Sequence, residues 1–218
     1  MKSIIIKSAL AGLGIAVGCA IIVFAVLSLG FPGTLCGWCE QLGNYGFAVR
    51  YASLYYAYTD KIADLGRCAD DSILAENDEY ITEYCTLLVD HEEFNAYCEL
   101  RDEEMAESQP LLGFSYRQYI YGAVSSAYYR QDSIDIAIGF AIEGIEPDFE
   151  RTSYAEGASC SIQGFPVNNA LGSLCLKVIN AGDGDCAKPL LAVLSGVTPA
   201  GEVEEAYLQT LTNALEEL

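Results

Sequence analysis

The chain has 218 residues, of which 52% are hydrophobic, and its 31 acidic against 11 basic side chains give it a net charge of −20. This length accommodates one ordinary domain together with a membrane segment. The acidity argues against nucleic acid as a partner, because proteins bind nucleic acid through Lys and Arg side chains that neutralise phosphates.

The N-terminal region, residues 1–31, joins a basic stub to a long apolar run. Lys2 and Lys7 are the only charged side chains before Glu40, and residues 9–31 are almost wholly apolar. At about 1.5 Å per helical residue, such a run spans the hydrocarbon core of a bilayer. Because the positive charge precedes it, we expect a single-pass signal-anchor in the cell membrane, with a cytoplasmic N-terminus and an extracytoplasmic body. A signal peptide cleaved between residues 28 and 33 is the alternative.

Residues 32–43 form a predicted juxtamembrane linker that contains the sequence GTLCGWCE, with Cys36, Trp38 and Cys39. The motif fits a redox site, half of a metal site, or a disulfide loop. Redox motifs of this spacing normally lie between a strand and a helix, and no strands are evident here. No second half of a zinc site is evident either. We therefore expect a local disulfide loop, with Trp38 at the membrane interface that tryptophan favours.

The remaining residues, 44–218, indicate an acidic, all-α body. Hydrophobic spacing and turn signals predict a series of helices. They cover residues 44–59, 61–75, 78–89, 92–107, 115–130, 133–145, 166–180, 185–194 and 201–218. The short connections between them predict antiparallel helical neighbours.

A weak internal repeat links two of the predicted hairpins. Val124, Tyr128, Ala137 and Ala141 recur at the same spacing as Leu174, Val178, Ala187 and Leu191, with turns at residues 131–132 and 182–183. Residues 124–147 and 174–191 resemble degenerate tetratricopeptide units. The chain is also similar to uncharacterised bacterial proteins with one N-terminal membrane helix and an extracytoplasmic helical-repeat body. This resemblance implies a scaffold that binds proteins.

Cysteines are frequent, and an oxidising compartment favours disulfides between them. If Cys19 belongs to the membrane helix, the candidates for disulfides are Cys36, Cys39, Cys68, Cys85, Cys98, Cys160, Cys175 and Cys186. Equal distances from predicted turns make Cys85 a partner for either Cys68 or Cys98. The three C-terminal cysteines are equally ambiguous, so pairing across groups, leftover thiols and unbonded core cysteines all stay open.

The tyrosines concentrate on the helices predicted at residues 44–59 and 115–130. On the first of these, large apolar side chains follow steps of three and four residues, the spacing of one helical face. We expect most tyrosines to pack the hairpins and some to line a groove for a peptide or glycan. The candidate residues for this interaction surface are Tyr51, Tyr55, Tyr58, Tyr121 and Tyr128.

Signatures of catalysis or metal binding are not evident in the sequence. His91 is the single histidine, and a zinc site formed with Cys68, Cys85 and Cys98 would lack the closely spaced ligand pairs of structural zinc sites. No nucleophile or phosphate-loop motif occurs. We therefore expect no enzymatic activity, cofactor or metal. The acidic residues within 90–107 indicate a solvated helix face, with a surface for a basic partner as the alternative.

Together these features predict a membrane-anchored, extracytoplasmic scaffold or binding module for protein–protein contacts. The expected partners are the lipid bilayer, through residues 9–31, and a protein or peptide. The acidic surface of this protein favours a basic partner. Two alternatives remain. One is an extracytoplasmic thiol–disulfide oxidoreductase that uses Cys36 and Cys39, and the other is a structural subunit of a membrane complex.

Overall fold

The computed structural model describes residues 30–108, 115–144, 170–197 and 202–218, together with positions 17, 19, 22, 23, 25 and 26. These residues form helices and no strands, so the predicted all-α class is confirmed for the described part of the chain. The chain divides into two compact units, Met1–Ala75 and Glu76–Leu218. The body predicted at residues 44–218 is therefore shared between both units.

The described positions of the N-terminal apolar run are helical, and their large side chains are exposed. Most of the membrane segment predicted at residues 9–31 lies outside the described residues. Among the helices that are described, none has the length and apolar character needed to cross a bilayer. The membrane anchor therefore stays a prediction.

The first unit contains three described helices after residue 30: α1 (Pro32–Gln41), α2 (Tyr45–Thr59) and α3 (Ile62–Leu74). Consecutive helices pack against each other. Gly43, at φ 68°, and Asp60, at φ 51°, adopt the left-handed conformation in the two connections. A left-handed residue after a helix ends it and redirects the chain, so each connection is a short hairpin turn.

Helix α1 occupies the place of the predicted linker at residues 32–43. Pro32 stands in its first turn, where the missing N–H would have no partner and the fixed φ suits a helix. Gly33 faces α2, because a Cβ on Gly33 would lie 3.4 Å from the ring of Tyr55, an ordinary van der Waals contact. Residues 32–41 are thus helical, and the role of residues 32–43 as a juxtamembrane linker stays a prediction.

The interior of the first unit consists mainly of small side chains and thiols. Its buried apolar residues are Leu35, Cys36, Ala48, Val49, Ala52, Leu65, Cys68 and Ala69. Two polar residues, Asp71 and Ser72, are buried with them. The Ser72 hydroxyl donates to the backbone carbonyl of Cys68 at 2.6 Å, which satisfies it within α3.

The second unit contains the other described helices. They are α4 (Asp78–Val89), α5 (Phe94–Ser108), α6 (Tyr116–Arg130), α7 (Ile134–Glu143), α8 (Ala170–Ala181), α9 (Gly184–Leu194) and α10 (Glu202–Glu216). The side chains of Asn77, Ser115 and Asp183 cap α4, α6 and α9 by accepting backbone N–H groups. The predicted helices are confirmed to within a few residues, except that 166–169 lie outside the described residues.

Helix α6 is the centre of the second unit, since α4, α5, α7 and α8 all pack against it. Its Tyr116 ring meets Tyr97 edge-on, with centroids 5.6 Å apart. Large aliphatic residues fill the space among α8, α9 and α10. They include Leu171, Leu174, Val178, Leu190, Leu194, Leu211 and Leu215. This unit therefore buries large side chains in the usual way.

The turns of the two repeat-like hairpins share one backbone geometry. Asp132, at φ 59°, and Gly182, at φ 68°, occupy equivalent positions. The N–H of the next residue, Ser133 or Asp183, donates to the carbonyl five residues earlier, at 2.9 and 3.2 Å respectively. The predicted turns are confirmed, whereas the resemblance to tetratricopeptide repeats stays a prediction.

Gly144 ends α7 at a point of close contact. A Cβ on Gly144 would lie 2.7 Å from the Cβ of Tyr121 and 2.8 Å from the Cβ of Ala170. No other residue type fits there without displacing its neighbours. Gly144 and Ala170, which border residues outside the described part of the chain, are therefore in close contact with each other.

Candidate functional site

A polar cluster lies between α1 and α3 in the first unit. Helix α1 contributes Cys36 and Glu40, and α3 contributes Arg67 and Asp71. Residues four apart lie on one face of a helix, so each helix directs two of these side chains at the other. Cys36 is fully buried and Asp71 is 3% exposed, while Glu40 and Arg67 lie nearer the surface.

Arg67 holds Glu40 through both of its carboxylate oxygens. Arg67 Nε donates to Oε1 at 2.5 Å, and Nη2 donates to Oε2 at 2.7 Å, a bidentate ion pair. Cys36 Sγ lies 3.4 Å from Glu40 Oε1 and 3.5 Å from Asp71 Oδ2. A thiol has one proton, so Cys36 donates to only one of these oxygens at a time.

The environment shifts the pKa of each acid in the cluster. Burial, aided by the charge of Glu40, raises the pKa of Asp71 to about 7. Burial also raises the pKa of Cys36, although Arg67 acts in the opposite direction. Hydrogen bonds from Arg67 lower the pKa of Glu40. At neutral pH Glu40 is therefore ionised and Cys36 is a thiol.

The second cysteine of the motif, Cys39, is partly buried on α1. Burial, followed by the charges of Asp71 and Glu40, raises its pKa as well. Nucleophilic cysteines have a lowered pKa, produced by a helix N-terminus or a nearby cation. Cys36 lies beyond the first turn of α1, and both thiols face carboxylates. This environment does not favour a thiol–disulfide oxidoreductase.

The other predicted disulfide residues lie in both units. Among the described cysteines, Cys19, Cys36, Cys39, Cys68, Cys175 and Cys186 carry free thiols. Cys85 and Cys98 are buried in the second unit, and Cys160 lies outside the described residues. Burial raises the pKa of Cys68 and of Cys175 to about 12. The predicted disulfide pairing stays a prediction.

The five candidate tyrosines differ in their surroundings. On α2, Tyr58 is 69% exposed, and Tyr51 and Tyr55 are half-buried. On α6, Tyr128 is half-buried and stacks on Phe140, with centroids 5.5 Å apart. Tyr121 is buried in the interior. The assignment of Tyr121 to an interaction surface is therefore corrected, because its ring packs α6 against its neighbours.

Helix α2 presents a row of large side chains to the outside. Phe47 is 51% exposed, Leu54 is 42% exposed, and Tyr51 and Tyr58 continue the row. Their spacing of four, three and four residues places them along one side of the helix. We call these four residues the α2 stripe. The expected hairpin packing instead uses the opposite side of α2, with the small residues Ala48, Val49 and Ala52.

The α2 stripe lies on a helix without acidic residues, although the protein has a net charge of −20. The one charged residue of α2 is Arg50, whose guanidinium lies 5.5 Å from the ring centroid of Phe47. On α1, Trp38 is exposed over 52% of its surface, as an interfacial side chain must be. Its placement at a membrane interface stays a prediction.

Within the described ranges, one set of Cys, Asp and Glu side chains converges closely enough to share a metal ion. Cys36 Sγ and carboxylate oxygens of Glu40 and Asp71 lie within 4.8 Å of one another. His91 is not part of this set. Its Nδ1 accepts a hydrogen bond from the Glu93 N–H in the turn before α5. The sequence around Cys36 shows no second half of a metal site, whereas in the structure Asp71 on α3 lies beside Cys36.

Fold and site define the class of protein only broadly: an all-α protein of helical hairpins with a buried thiol–carboxylate cluster and an exposed aromatic helix face. No protein-family model, curated protein or solved structure matches the chain. Inferences about its function therefore rest on the chain's own geometry and chemistry.

Proposed function

We propose that the protein is a membrane-anchored, extracytoplasmic scaffold that binds a partner protein through the α2 stripe. The observation that supports this proposal is the exposure of the stripe, in which Phe47 and Tyr58 expose 51% and 69% of their surfaces. Contiguous exposed apolar patches mark interaction sites, because leaving them in water is unfavourable. Tyr side chains are favoured in such sites, since they supply large contact area with a polar end.

The partner that fits the α2 stripe is an amphipathic helix of another membrane-associated protein. A spacing of four, three and four residues is the spacing with which two helices interdigitate. Because α2 has no acidic residues, a partner helix that approaches the stripe would not meet the negative charge that is frequent elsewhere on this acidic protein. Arg50, beside Phe47, favours an acidic residue at the edge of the partner helix.

The membrane anchor in this proposal is the apolar run at residues 9–31. Lys2 and Lys7 favour a cytoplasmic N-terminus, and the exposed Trp38 follows the run closely in the sequence. Tryptophan at this distance from a membrane helix fits the headgroup region. The α2 stripe would then lie on the part of the body that directly follows the anchor in the chain.

Site-specific photo-crosslinking in intact membranes tests the α2 stripe. A photoreactive residue at position 54 or 58 of the full chain should give an adduct with one protein, mapped to the apolar face of a helix. Phe47→Ser in the same chain should abolish that adduct. The matched control is the same photoreactive residue at the exposed position of Glu83 on α4, where no such adduct is expected.

Three results would contradict the partner assignment. Adducts with lipid alone would show that the α2 stripe faces the bilayer. Adducts confined to a second copy of the chain would show self-association, and equal adducts from position 83 would show that the stripe has no selectivity.

Anchoring is tested independently on the full chain in its native membrane. Alkaline carbonate should leave the protein in the membrane fraction, and external protease should digest the body while sparing residues 1–31. Release by carbonate, or protection of the body from external protease, would refute the proposed topology.

A further inference from the structure

We propose that Cys36, Glu40 and Asp71 bind a divalent metal ion of the zinc type between α1 and α3. Their donor atoms, one sulfur and two carboxylate oxygens, lie within 4.8 Å of one another. They come from two helices, and Cys36 and Asp71 are buried. The site therefore joins residues distant in sequence, two of them buried and Glu40 nearer the surface.

The separations of the donor atoms match tetrahedral coordination. Zinc lies about 2.3 Å from a cysteine sulfur and about 2.0 Å from a carboxylate oxygen, so a tetrahedral site separates the two donor atoms by about 3.5 Å. Cys36 Sγ lies 3.4 Å from Glu40 Oε1 and 3.5 Å from Asp71 Oδ2. Two edges of a zinc tetrahedron are therefore already present.

The cluster has more acidic groups than cations. Three acidic groups converge, and Arg67, which pairs with Glu40, is the cation that faces them. Asp71 contacts the Cys36 thiol, a weak donor, and Glu40, which is itself an acid. Arg67 donates its hydrogen bonds to Glu40 and acts on Asp71 only through its charge, so the cost of burying the Asp71 carboxylate is compensated only in part. A divalent ion beside Cys36 and Asp71 would provide that compensation.

The mixed donor set selects the type of metal. A thiolate disfavours Mg²⁺ and Ca²⁺, which prefer oxygen ligands, and two carboxylates disfavour Cu(I), which prefers sulfur. Zinc accepts both kinds of donor. The fourth position is open to water. Arg67 would orient Glu40, since hydrogen bonds to a ligating carboxylate fix its position.

Cobalt substitution of the full chain tests the site directly. The protein is purified in detergent, reduced with a phosphine and freed of metal with a chelator. Co²⁺ should then produce sulfur-to-cobalt charge-transfer absorption and intense visible bands of tetrahedral cobalt, and Zn²⁺ should displace both. Zinc at a hundredfold excess over its Kd should raise Tm by about 5 °C or more.

Three variants assign the signal to the cluster. Cys36→Ser should abolish the charge-transfer band, while Asp71→Asn and Glu40→Gln, which preserve shape, should each weaken Co²⁺ binding at least about tenfold. Cys19→Ser is the matched control, because Cys19 is an exposed thiol, and it should bind Co²⁺ like the parent.

Several outcomes would overturn the metal site. They are the absence of a charge-transfer band, a band that survives Cys36→Ser, unchanged affinity in both carboxylate variants, and a Tm rise that Mg²⁺ or Ca²⁺ reproduces. Circular dichroism of each variant shows whether a loss of binding reflects a loss of fold. None of these outcomes depends on the membrane anchor or on the α2 stripe.

Discussion

The two units differ in the size of the side chains that fill most of their interiors, although both bury thiols. The first unit has small residues and thiols in its interior, with the ion pair of Arg67 and Glu40 at its edge and the aromatic α2 stripe outside. The second unit has large aliphatic residues and buried rings such as Tyr116 and Tyr207 in its interior.

This difference shows that the same helical-hairpin architecture can be stabilised in two ways. Burial of large apolar side chains contributes about 25 cal/mol for each Å² removed from water, and the second unit depends on it. The first unit buries less apolar surface per helix and depends more on close backbone approach and on the polar cluster.

The largest expected effect is a cavity in the second unit. Leu211 is fully buried, so Leu211→Ala should lower the free energy of unfolding by about 3 kcal/mol. Urea unfolding followed by far-ultraviolet circular dichroism measures it. Leu87→Ala is the control, because Leu87 is 48% exposed, and a comparable loss there would refute the comparison.

The next effect compares one ion pair from each unit. Arg67→Met leaves Glu40 and buried Asp71 without their cation and should cost about 2 kcal/mol. Arg130, which pairs with Asp78 at the surface of the second unit, is the matched control, and Arg130→Met should cost less than about 1 kcal/mol. Fluorescence of Trp38, the single tryptophan, reports unfolding of the first unit, and far-ultraviolet circular dichroism reports unfolding of the whole chain in both variants. Equal losses would show that the cluster is no more important than a surface pair.

A smaller effect concerns pH in the presence of a chelator. Burial raises the pKa of the Asp71 carboxyl from its ordinary value of 3.8, which applies to the unfolded chain, to about 7 in the fold. The folded state therefore binds more protons between these values, and its stability falls as pH rises from about 4 to 7. Asp71→Asn has no carboxyl to titrate, so it should not show this loss of stability between pH 4 and pH 7. Because the variant also loses the contacts of the carboxyl, we expect a net gain of about 1 kcal/mol at pH 8.

The measurement is the unfolding free energy of both proteins from pH 4 to pH 8, followed by Trp38 fluorescence. A difference between them that does not change with pH would contradict the assignment. With zinc added, the order of stability should reverse, since the parent alone retains all the proposed ligands.

The smallest expected effect on stability is at the α2 stripe. Tyr58→Ser should change the free energy of unfolding by less than about 0.5 kcal/mol, because the ring is already 69% exposed. Tyr116→Ser, at a ring that is 1% exposed, should cost about 3 kcal/mol. Chemical denaturation of both variants checks this contrast. A large loss at Tyr58 would mean that the stripe stabilises the fold instead of serving a partner.

Local sequence patterns predicted most helices because caps and turns act over a few residues. Asn77, Ser115 and Asp183 precede helices and cap them as their side chains suggest. The turns at Asp132 and Gly182 follow from the same short-range chemistry. Helix α1 was not predicted, because Pro32 and Gly33 can mark the end of the preceding apolar run as well as the first turn of a new helix.

The hydrophobic periodicity of α2 could not predict which side of the helix is buried. Steps of three and four residues show that Phe47, Tyr51 and Tyr58 share a side of the helix, yet both a buried and an exposed row give that pattern. The alternative row of Ala48, Val49 and Ala52 allows closer helix approach, and it is the one that is buried. Likewise, Cys36 and Asp71 meet only through the packing of α1 on α3, which no local motif encodes.

Because Gly144 and Ala170 are in close contact, the connection between them is a suitable place to insert additional sequence into the second unit. Both ends of any segment inserted there are already held together by the packing around Tyr121. Doubling the length of a flexible segment whose ends are fixed costs only about 0.6 kcal/mol. Lengthening the connection between Gly144 and Ala170 is therefore expected to cost the second unit little stability.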